Sequence, residues 1–541
     1  MRMPGPVARS AGPAARRQRK RPILLTAALL APILLASCTI GPSTRPALAT
    51  SDSVDPVRTS PSTAATMPTG PGGPGRTADP IAWADCPAQI PAGDSASGRN
   101  FKLQCAQVEV PRSYSDATSG VLSLEVTKAT APGTPAGAPP LVVALDEPGS
   151  VGTHRIAQVA GHLPAAVLAH FSVVVVDLRG TGDSAAIDCV SAQNSDNLLA
   201  LGADPTTPGG EKLLTELSRS LTFDCGDLVG PGLSDYSTVL AADDLDSVRS
   251  ALGVSRIDFL GRGWGGTLGA VYADRYPGRI HAAVLDGPAD PSSAPDKQAA
   301  AAAVADEKAF GAFAAACPTF PGGCPLGADP AGAVKALVTT LGDSGDVSAD
   351  GHLISGGTVL LTLVDQLGNP AGWPALATAL AKAREQNYEP LTNLLLAEFG
   401  SQDIERNQSG RLVFHCNDAP QRLGGTALAA AARAARASSP LFGPFLVGLL
   451  GVCSSWPAPE SPLGRVTGAG APPLLVLGSV DDPVAPYDGV RALVAVLTSA
   501  RLISWQSGTH GSYPASSCIT AAVNSYLLAG ALPAGGTLCP P

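Results

Sequence analysis

The chain has 541 residues and a formal net charge of −9. This length is enough for one large domain or a few smaller ones, each with its own hydrophobic core. The acidic balance argues against nucleic acid and anionic membrane surfaces as partners, since both attract basic proteins.

The N-terminus has the layout of an export signal. Residues 1–37 contain seven Lys or Arg and no acid, and the apolar run at 23–36 is too short for a comfortable membrane span. The run ends in the letters LASC, which resemble the lipobox of bacterial lipoproteins, whose cysteine is lipidated. We therefore expect a lipoprotein signal peptide at 1–37 and a lipid on Cys38 that anchors the protein to the outer face of the cell membrane. The alternative is an ordinary cleaved signal and a secreted protein.

Removal of the signal leaves an acidic chain that begins with a tether. Without the seven basic residues of 1–37 the net charge falls from −9 to −16, which strengthens the case against nucleic acid. Residues 38–80 are rich in Ser, Thr, Pro and Gly and cannot bury an apolar face. We expect them to form a flexible tether.

Ten cysteines follow the tether. An even number in an exported chain predicts disulfides, and pairing neighbours in sequence is the simplest of many arrangements. No Cys-x-x-Cys or His-Glu-x-x-His spacing is present, so we expect no metal, and no motif asks for a cofactor. The disulfide candidates are Cys86, Cys105, Cys189, Cys225, Cys317, Cys324, Cys416, Cys453, Cys518 and Cys539.

Short apolar runs then alternate with helical patterns. The segments 139–145, 171–180, 256–261 and 279–287 read as strands, and 238–253 has apolar residues at helical spacing and ends at a glycine. Such alternation is typical of an α/β fold with a mostly parallel sheet and crossover helices.

The pattern changes after Pro291 and later returns. An Ala- and Leu-rich stretch of helical period is followed by strand patterns at 472–480 and 500–508 and by a final helix. A sheet that is interrupted and then resumed indicates one core domain with an inserted helical cap, or lid. The predicted division is a first core part at 81–290, a cap at 291–462 and a C-terminal core part at 463–541.

Three segments carry the candidate chemistry. The strand at 256–261 leads into Gly261-Arg262-Gly263-Trp264-Gly265 and a helix predicted to open at Thr267. This layout matches the nucleophile elbow Gly-x-Ser-x-Gly, with glycine in place of serine. Asp481 and Asp482 follow the strand at 472–480, and His510 follows the strand at 500–508, where groups at the carboxyl ends of parallel strands gather.

The chain resembles the exported tripeptidyl-aminopeptidase-like α/β-hydrolases of actinobacteria, relatives of proline iminopeptidases. The resemblance covers nearly all of the chain beyond the tether. It rests on VVVVDLRGTGDSAAIDC, LGVSRIDFLGRGWGGTLGAVYADRYPGRI, VLGSVDDPVAPYDGV and SGTHGSYPASSCITAAVNSYLLAGALPAGGTLC. It implies an α/β-hydrolase fold with a helical cap, and a peptide or ester-like small ligand.

The resemblance also implies roles for single residues. Asp482 corresponds to the triad acid, because it directly precedes Pro483, and His510 corresponds to the base. Trp264 follows the nucleophile position, so its backbone N–H is an oxyanion-hole candidate, whereas its side chain is expected to pack. The remaining histidines are expected to be structural: His154, His162, His170, His281, His352 and His415.

The departures from the family pattern lie where chemistry would occur. Gly263 stands at the nucleophile position, and Ala485 replaces the usual threonine of the acid loop. The loop that normally reads Gly-Gly-Pro-Gly-x-Ser-Gly is DEPGSVG here, with Asp146 and Glu147 replacing two glycines. Glu147 is the second oxyanion-hole candidate. Its carboxylate, placed about 4 Å from a developing oxyanion, would oppose it by ~4 kcal/mol at an effective dielectric of 20. Solvated loop charges are the favoured interpretation of both acids.

Three functions remain open from the sequence. The first is a pseudoenzyme, a lipid-tethered binding protein that keeps the pocket and lid but lacks serine catalysis. The second is an active aminopeptidase or esterase with a displaced nucleophile, or with water activated by His510 and Asp482. The third is non-hydrolytic chemistry at the same His-Asp pair.

Overall fold

The computed structural model describes residues 79–541 apart from 89, 95, 117, 149–151, 343–344, 349 and 400–403. The predicted signal, Cys38 and nearly all of the tether lie outside the described residues. Among the helices that are described, none has the length and apolarity needed to cross a membrane.

Within the described part of the chain, ten strands form one sheet in the order β1-β4-β5-β7-β6-β8-β9-β12-β13-β14. The strands from β7 to β14 in this order pair in parallel, whereas β1, β4 and β5 form an antiparallel edge. Two small hairpins, β2-β3 and β10-β11, stand apart. The strands are β1 Ala84–Asp85, β2 Gly93–Asp94, β3 Arg99–Asn100, β4 Lys102–Pro111, β5 Val121–Thr130, β6 Pro140–Ala144, β7 Ser172–Val176, β8 Ile257–Arg262, β9 Ile280–Asp286, β10 Asp346–Val347, β11 Leu353–Ile354, β12 Leu474–Ser479, β13 Ala500–Trp505 and β14 Thr537–Cys539.

The helices divide into those that cross between strands and those inserted between β9 and β12. The crossover and flanking helices are α1 Ile156–His162, α2 Ala165–Leu168, α3 Ala192–Leu199, α4 Pro208–Val229, α5 Thr238–Ala251, α6 Trp264–Arg275, α15 Tyr487–Val496 and α16 Ser517–Ala529. The inserted helices are α7 Pro295–Ala316, α8 Pro330–Leu341, α9 Gly356–Gln366, α10 Trp373–Arg384, α11 Glu389–Phe399, α12 Ile404–Asp418, α13 Gly425–Arg436 and α14 Phe442–Leu449.

The sheet is buried on both faces. Val142 belongs to one hydrophobic core and its neighbours Leu141 and Val143 to the other, because successive side chains of a strand point to opposite faces. The inserted helices α7 to α11 and α14 surround a third core that includes Phe313. In contrast, α12 packs Phe414 into the first core and so ties the insertion to the sheet.

The predicted α/β-hydrolase fold with a mostly parallel sheet is confirmed. The antiparallel strands β4 and β5 were missed, although both alternate apolar with polar side chains, which is the signal of a half-buried strand. The helix predicted to open at Thr267 begins three residues earlier, at Trp264, because the turn at Gly263 is a single residue.

The ten cysteines form five disulfides, and each joins neighbours in the sequence of cysteines. This is the simplest of the arrangements that the sequence left open. The pairs are Cys86–Cys105, Cys189–Cys225, Cys317–Cys324, Cys416–Cys453 and Cys518–Cys539.

Candidate active site

The turn between β8 and α6 has the backbone of a sharp elbow. Gly263 lies at φ 55° and ψ −118°, a conformation that favours glycine, and α6 begins at the next residue. A Cβ on Gly265 would lie 2.4 Å from the carbonyl oxygen of Ala144, so the helix approaches β6 more closely than any side chain allows. The elbow therefore keeps the geometry of its motif although its central residue has no side chain.

The acid and the base predicted from the sequence are in contact. The Asp482 carboxylate is 2% exposed, and its Oδ1 accepts the backbone N–H groups of Val484 and Ala485 at 2.9 and 3.0 Å. Its Oδ2 accepts a hydrogen bond from His510 Nδ1 at 2.9 Å. Asp481 instead pairs with Lys308 of α7. The structure thus brings Asp482, rather than Asp481, to the histidine.

Asp146 occupies the space in front of the elbow. Its Oδ1 lies 2.9 Å from His510 Nε2, on the opposite side of the imidazole from Asp482. A Cβ built on Gly263 would lie 2.8 Å from the same oxygen, so a serine side chain would collide with the carboxylate. The other oxygen of Asp146 pairs with Arg262. The imidazole nitrogen that would face a serine hydroxyl is therefore bonded to a carboxylate.

The backbone next to Asp146 occupies the N–H groups that would form the oxyanion hole. The N–H of Trp264, predicted as an oxyanion-hole donor, donates to the carbonyl oxygen of Asp146 at 2.9 Å. The next N–H, of Gly265, donates to the carbonyl of Leu145 at 3.0 Å. Neither backbone N–H is left to bind an oxyanion in this conformation.

Two expectations about the loop after β6 need correction. Glu147 was expected to oppose an oxyanion, but its carboxylate lies 3.6 Å from the Arg411 guanidinium of α12. The acid at the site is Asp146, whose side chain is only 20% exposed and so is not a solvated loop charge. The reason is the opposite charges of Arg262 and His510, which stabilise a carboxylate here.

The four charges at the site compensate one another. Burial by itself disfavours the imidazolium, but Asp482 and Asp146 outweigh it and raise the pKa of His510 to about 10. Burial likewise opposes ionisation of Asp146, but Arg262 and His510 together hold the pKa of that carboxyl well below its usual range. At neutral pH the histidine is a cation that donates both N–H groups to carboxylates.

The Trp264 side chain packs, as expected. Its Nε1 donates to Thr238 Oγ1 at 3.0 Å, and its ring meets Phe414 edge-on with centroids 5.8 Å apart. Three other histidines are hydrogen-bonded to an aspartate outside this site: His154 to Asp183, His281 to Asp258, and His352 to Asp196. No group of three or more metal-binding side chains occurs among the described residues.

The sequence reading missed Arg262 and the position of Asp146. The sequence does carry a signal for this ion pair. It places an acid in a loop that holds glycines in the family pattern, and an arginine inside the elbow. Two opposite charges introduced into segments that meet at one end of a sheet are candidates for an ion pair.

Comparison with known proteins agrees with this architecture. A family described as "alpha/beta hydrolase fold" matches residues 148–336, and one described as "TAP-like protein" matches residues 439–539. The chain is 29% identical to a protein named serine protease Hip1 from Mycobacterium tuberculosis, over 85% of this chain and 91% of that protein. It is 29% identical to carboxylesterase B of the same organism, over 81% and 86%.

A further relative is named tripeptidyl aminopeptidase, from Streptomyces coelicolor. The two chains are 26% identical, over 85% of this chain and 86% of that protein. With the two family matches and the hydrolase sheet, these relatives identify the chain as a member of the TAP-like α/β-hydrolase family.

Proposed function

We propose that this protein is a lipid-anchored pseudoenzyme, a TAP-like hydrolase relative that binds a small ligand but no longer hydrolyses acyl groups through a serine. The observation that carries the proposal is the Asp146 carboxylate, which lies in front of Gly263 and is bonded to His510. Among the described residues, the three atoms nearest to a Cβ at that position all belong to Asp146, and none is a hydroxyl.

Three requirements of serine hydrolysis are unmet together. The nucleophile position is Gly263, and loss of a triad serine alone costs a factor of about 10⁶ in turnover. The residual rate, about 10³ to 10⁴ over water, depends on the oxyanion hole, and the Trp264 N–H is bonded to Asp146. The third requirement is a neutral imidazole, whereas two carboxylates hold His510 protonated.

The ligand class follows from family membership. The relatives are named as a protease, a carboxylesterase and a tripeptidyl aminopeptidase, so a peptide or ester-like small molecule is the proposed ligand. It would sit at the carboxyl ends of the strands, beside Asp146 and the Glu147–Arg411 ion pair.

The alternative is a hydrolase that uses water activated by His510 and Asp482. The observation that favours it is the intact hydrogen bond between these residues. Activation of water needs a neutral imidazole, so this alternative requires a rate that rises with pH up to about 10, the pKa of His510.

A fluorophosphonate probe tests the proposal on the purified protein. We expect no covalent adduct by mass spectrometry, because Gly263 offers no hydroxyl, and no hydrolysis of p-nitrophenyl acyl esters above the spontaneous rate in buffer between pH 6 and pH 10. An active relative of the family, treated in parallel, serves as the positive control. The proposal fails if the wild type is labelled and His510→Ala is not, or if ester hydrolysis rises with pH toward 10 and is lost in His510→Ala.

The anchoring proposal concerns Cys38, at the end of the export signal. In an actinobacterial host we expect the wild-type protein to enter the detergent phase of Triton X-114, because acyl chains on Cys38 provide lasting membrane attachment. Cys38→Ser removes the acceptor thiol and should move the protein to the aqueous phase or leave it unprocessed. If both forms enter the aqueous phase at the mature size, the protein is secreted and the lipobox assignment is wrong.

A further inference from the structure

A cleft of about 630 Å³ lies away from the candidate active site, between three separate elements. Its walls are the C-terminal half of α4, the segment 188–192 that leads into α3, and the start of α12. This volume is within the usual range for binding pockets. The lining residues that matter below are Asp188, Phe223, Asp224, Asp227, Leu228 and Glu405.

The cleft exposes two large apolar side chains. Phe223 is 71% exposed and Leu228 is 60% exposed, although the opposite face of α4 buries Leu214, Leu217 and Leu221 in the core. The exposed pair therefore contributes little to the stability of the folded protein. Aromatic and aliphatic side chains that stand together on a surface mark sites of protein association more often than single exposed residues do.

Carboxylates surround this apolar pair. Asp188, Asp224, Asp227 and Glu405 line the cleft, and Arg406 is the one basic residue among its described lining residues. An occupant with acidic groups would be repelled, whereas a cation beside an apolar group would satisfy both features of the lining. The charge of the lining thus selects a basic occupant.

The walls are held in place by covalent and hydrogen bonds. The disulfide Cys189–Cys225 joins the segment before α3 to α4. Ser409 of α12 accepts the backbone N–H groups of Cys189 and Val190 at 3.1 and 2.9 Å, which ties the third wall to the second. A cleft with fixed walls loses little conformational entropy when it is filled.

We propose that this cleft docks a segment of a partner protein in which Lys or Arg alternates with bulky apolar residues. Phe223 and Leu228 are five residues apart on α4, which separates them by about 7.5 Å along the helix. Around the helix axis the two positions are about 140° apart, so both side chains reach the cleft from different sides of α4, and they fit two apolar side chains of one peptide segment. The surface is independent of the ligand proposed for the candidate active site.

A model peptide tests this proposal directly. The purified protein is titrated into a short fluorescein-labelled peptide of alternating Arg and Leu, and binding is followed by fluorescence anisotropy. We expect saturable binding that weakens as salt is added, because the carboxylates contribute. Phe223→Ala should weaken it about tenfold, in the range of a truncated interface anchor, and Asp227→Asn should weaken it several-fold.

Matched controls distinguish the cleft from general charge attraction. Val121→Ala removes an apolar side chain that is 61% exposed elsewhere, and Asp488→Asn removes an exposed acid of α15, so both should bind like the wild type. A peptide with Glu in place of Arg should not bind. The proposal is overturned if the Arg-Leu peptide does not bind, if the Glu-Leu peptide binds equally well, or if Phe223→Ala and Asp227→Asn leave the affinity unchanged.

Discussion

The double variant Asp146→Gly/Gly263→Ser is expected to gain acyl-ester hydrolysis, whereas Gly263→Ser alone stays silent. A serine built on the present backbone would place its Cβ 2.8 Å from Asp146 Oδ1, so the single variant has a nucleophile that the carboxylate displaces or blocks. The second substitution removes that carboxylate and restores the glycine that the loop usually has.

The double variant also changes the pKa of His510 and the hydrogen bonds of the loop after β6. His510 would keep Asp482 but lose Asp146, so its pKa should fall from about 10 toward a range where the imidazole is a base. Without the bonds to Arg262 and His510, the loop is free to release the Trp264 N–H. We expect the double variant to exceed Gly263→Ser on the order of 10⁴-fold, as a restored triad acting as a unit would.

The measurement is hydrolysis of p-nitrophenyl acyl esters, together with fluorophosphonate labelling. Asp146→Gly alone and Asp146→Gly/Gly263→Ala are the matched controls, since both open the site without supplying a hydroxyl. Activity in Gly263→Ser alone would show that Asp146 does not block the site. A folded but silent double variant would show that the loop backbone, and not the carboxylate, has disabled it.

Stability should fall as the pH rises from about 6.5 to about 10. His510 has an ordinary pKa of 6.5 in the unfolded chain and about 10 in the folded protein, so the folded state binds its proton more tightly. The stabilisation is fully present below pH 6.5 and disappears as the pH passes through 10. A shift of this size corresponds to a loss on the order of 4–5 kcal/mol.

Other groups act in a different pH window. The lowered pKa of Asp146 gives a contribution that is present above pH 3.8 and is lost as the solution becomes more acidic. Burial raises the pKa of Asp418 to about 7. Its contribution to the stability of the folded state therefore falls as the pH rises from 3.8 to 7. The interval between pH 7 and 10 lies above both of these windows, so a difference there between the wild type and a His510 variant reports His510 rather than these two carboxyls.

Guanidinium unfolding of the wild type and of His510→Gln at several pH values measures this effect. The variant is expected to be less stable at pH 6.5, because it leaves two carboxylates without their shared cation. Its stability should change much less between pH 7 and 10, so that the two curves converge. If the curves stay parallel over that interval, His510 is not the protonated centre of the network.

Local sequence patterns were sufficient for the fold class and for part of the candidate site. The apolar runs of β6, β8, β9 and β12 predicted a parallel sheet because strands buried on both faces need apolar residues at nearly every position. The glycines around Gly263 predicted an elbow. An acid at 481 or 482 and His510 were predicted together because each follows a strand of that sheet, and the ends of parallel strands meet at one edge. The family resemblance then selected Asp482, which directly precedes Pro483.

Only the tertiary structure decided what fills the nucleophile position. Asp146 and His510 are 364 positions apart in sequence, and Asp146 and Arg262 are 116 apart. Whether a loop carboxylate is solvated or bonded depends on which charges the fold brings within reach, and no local pattern encodes that distance. The sequence by itself determined that a serine is absent, whereas the packing of the β6 loop against the elbow determined that a carboxylate lies in its place.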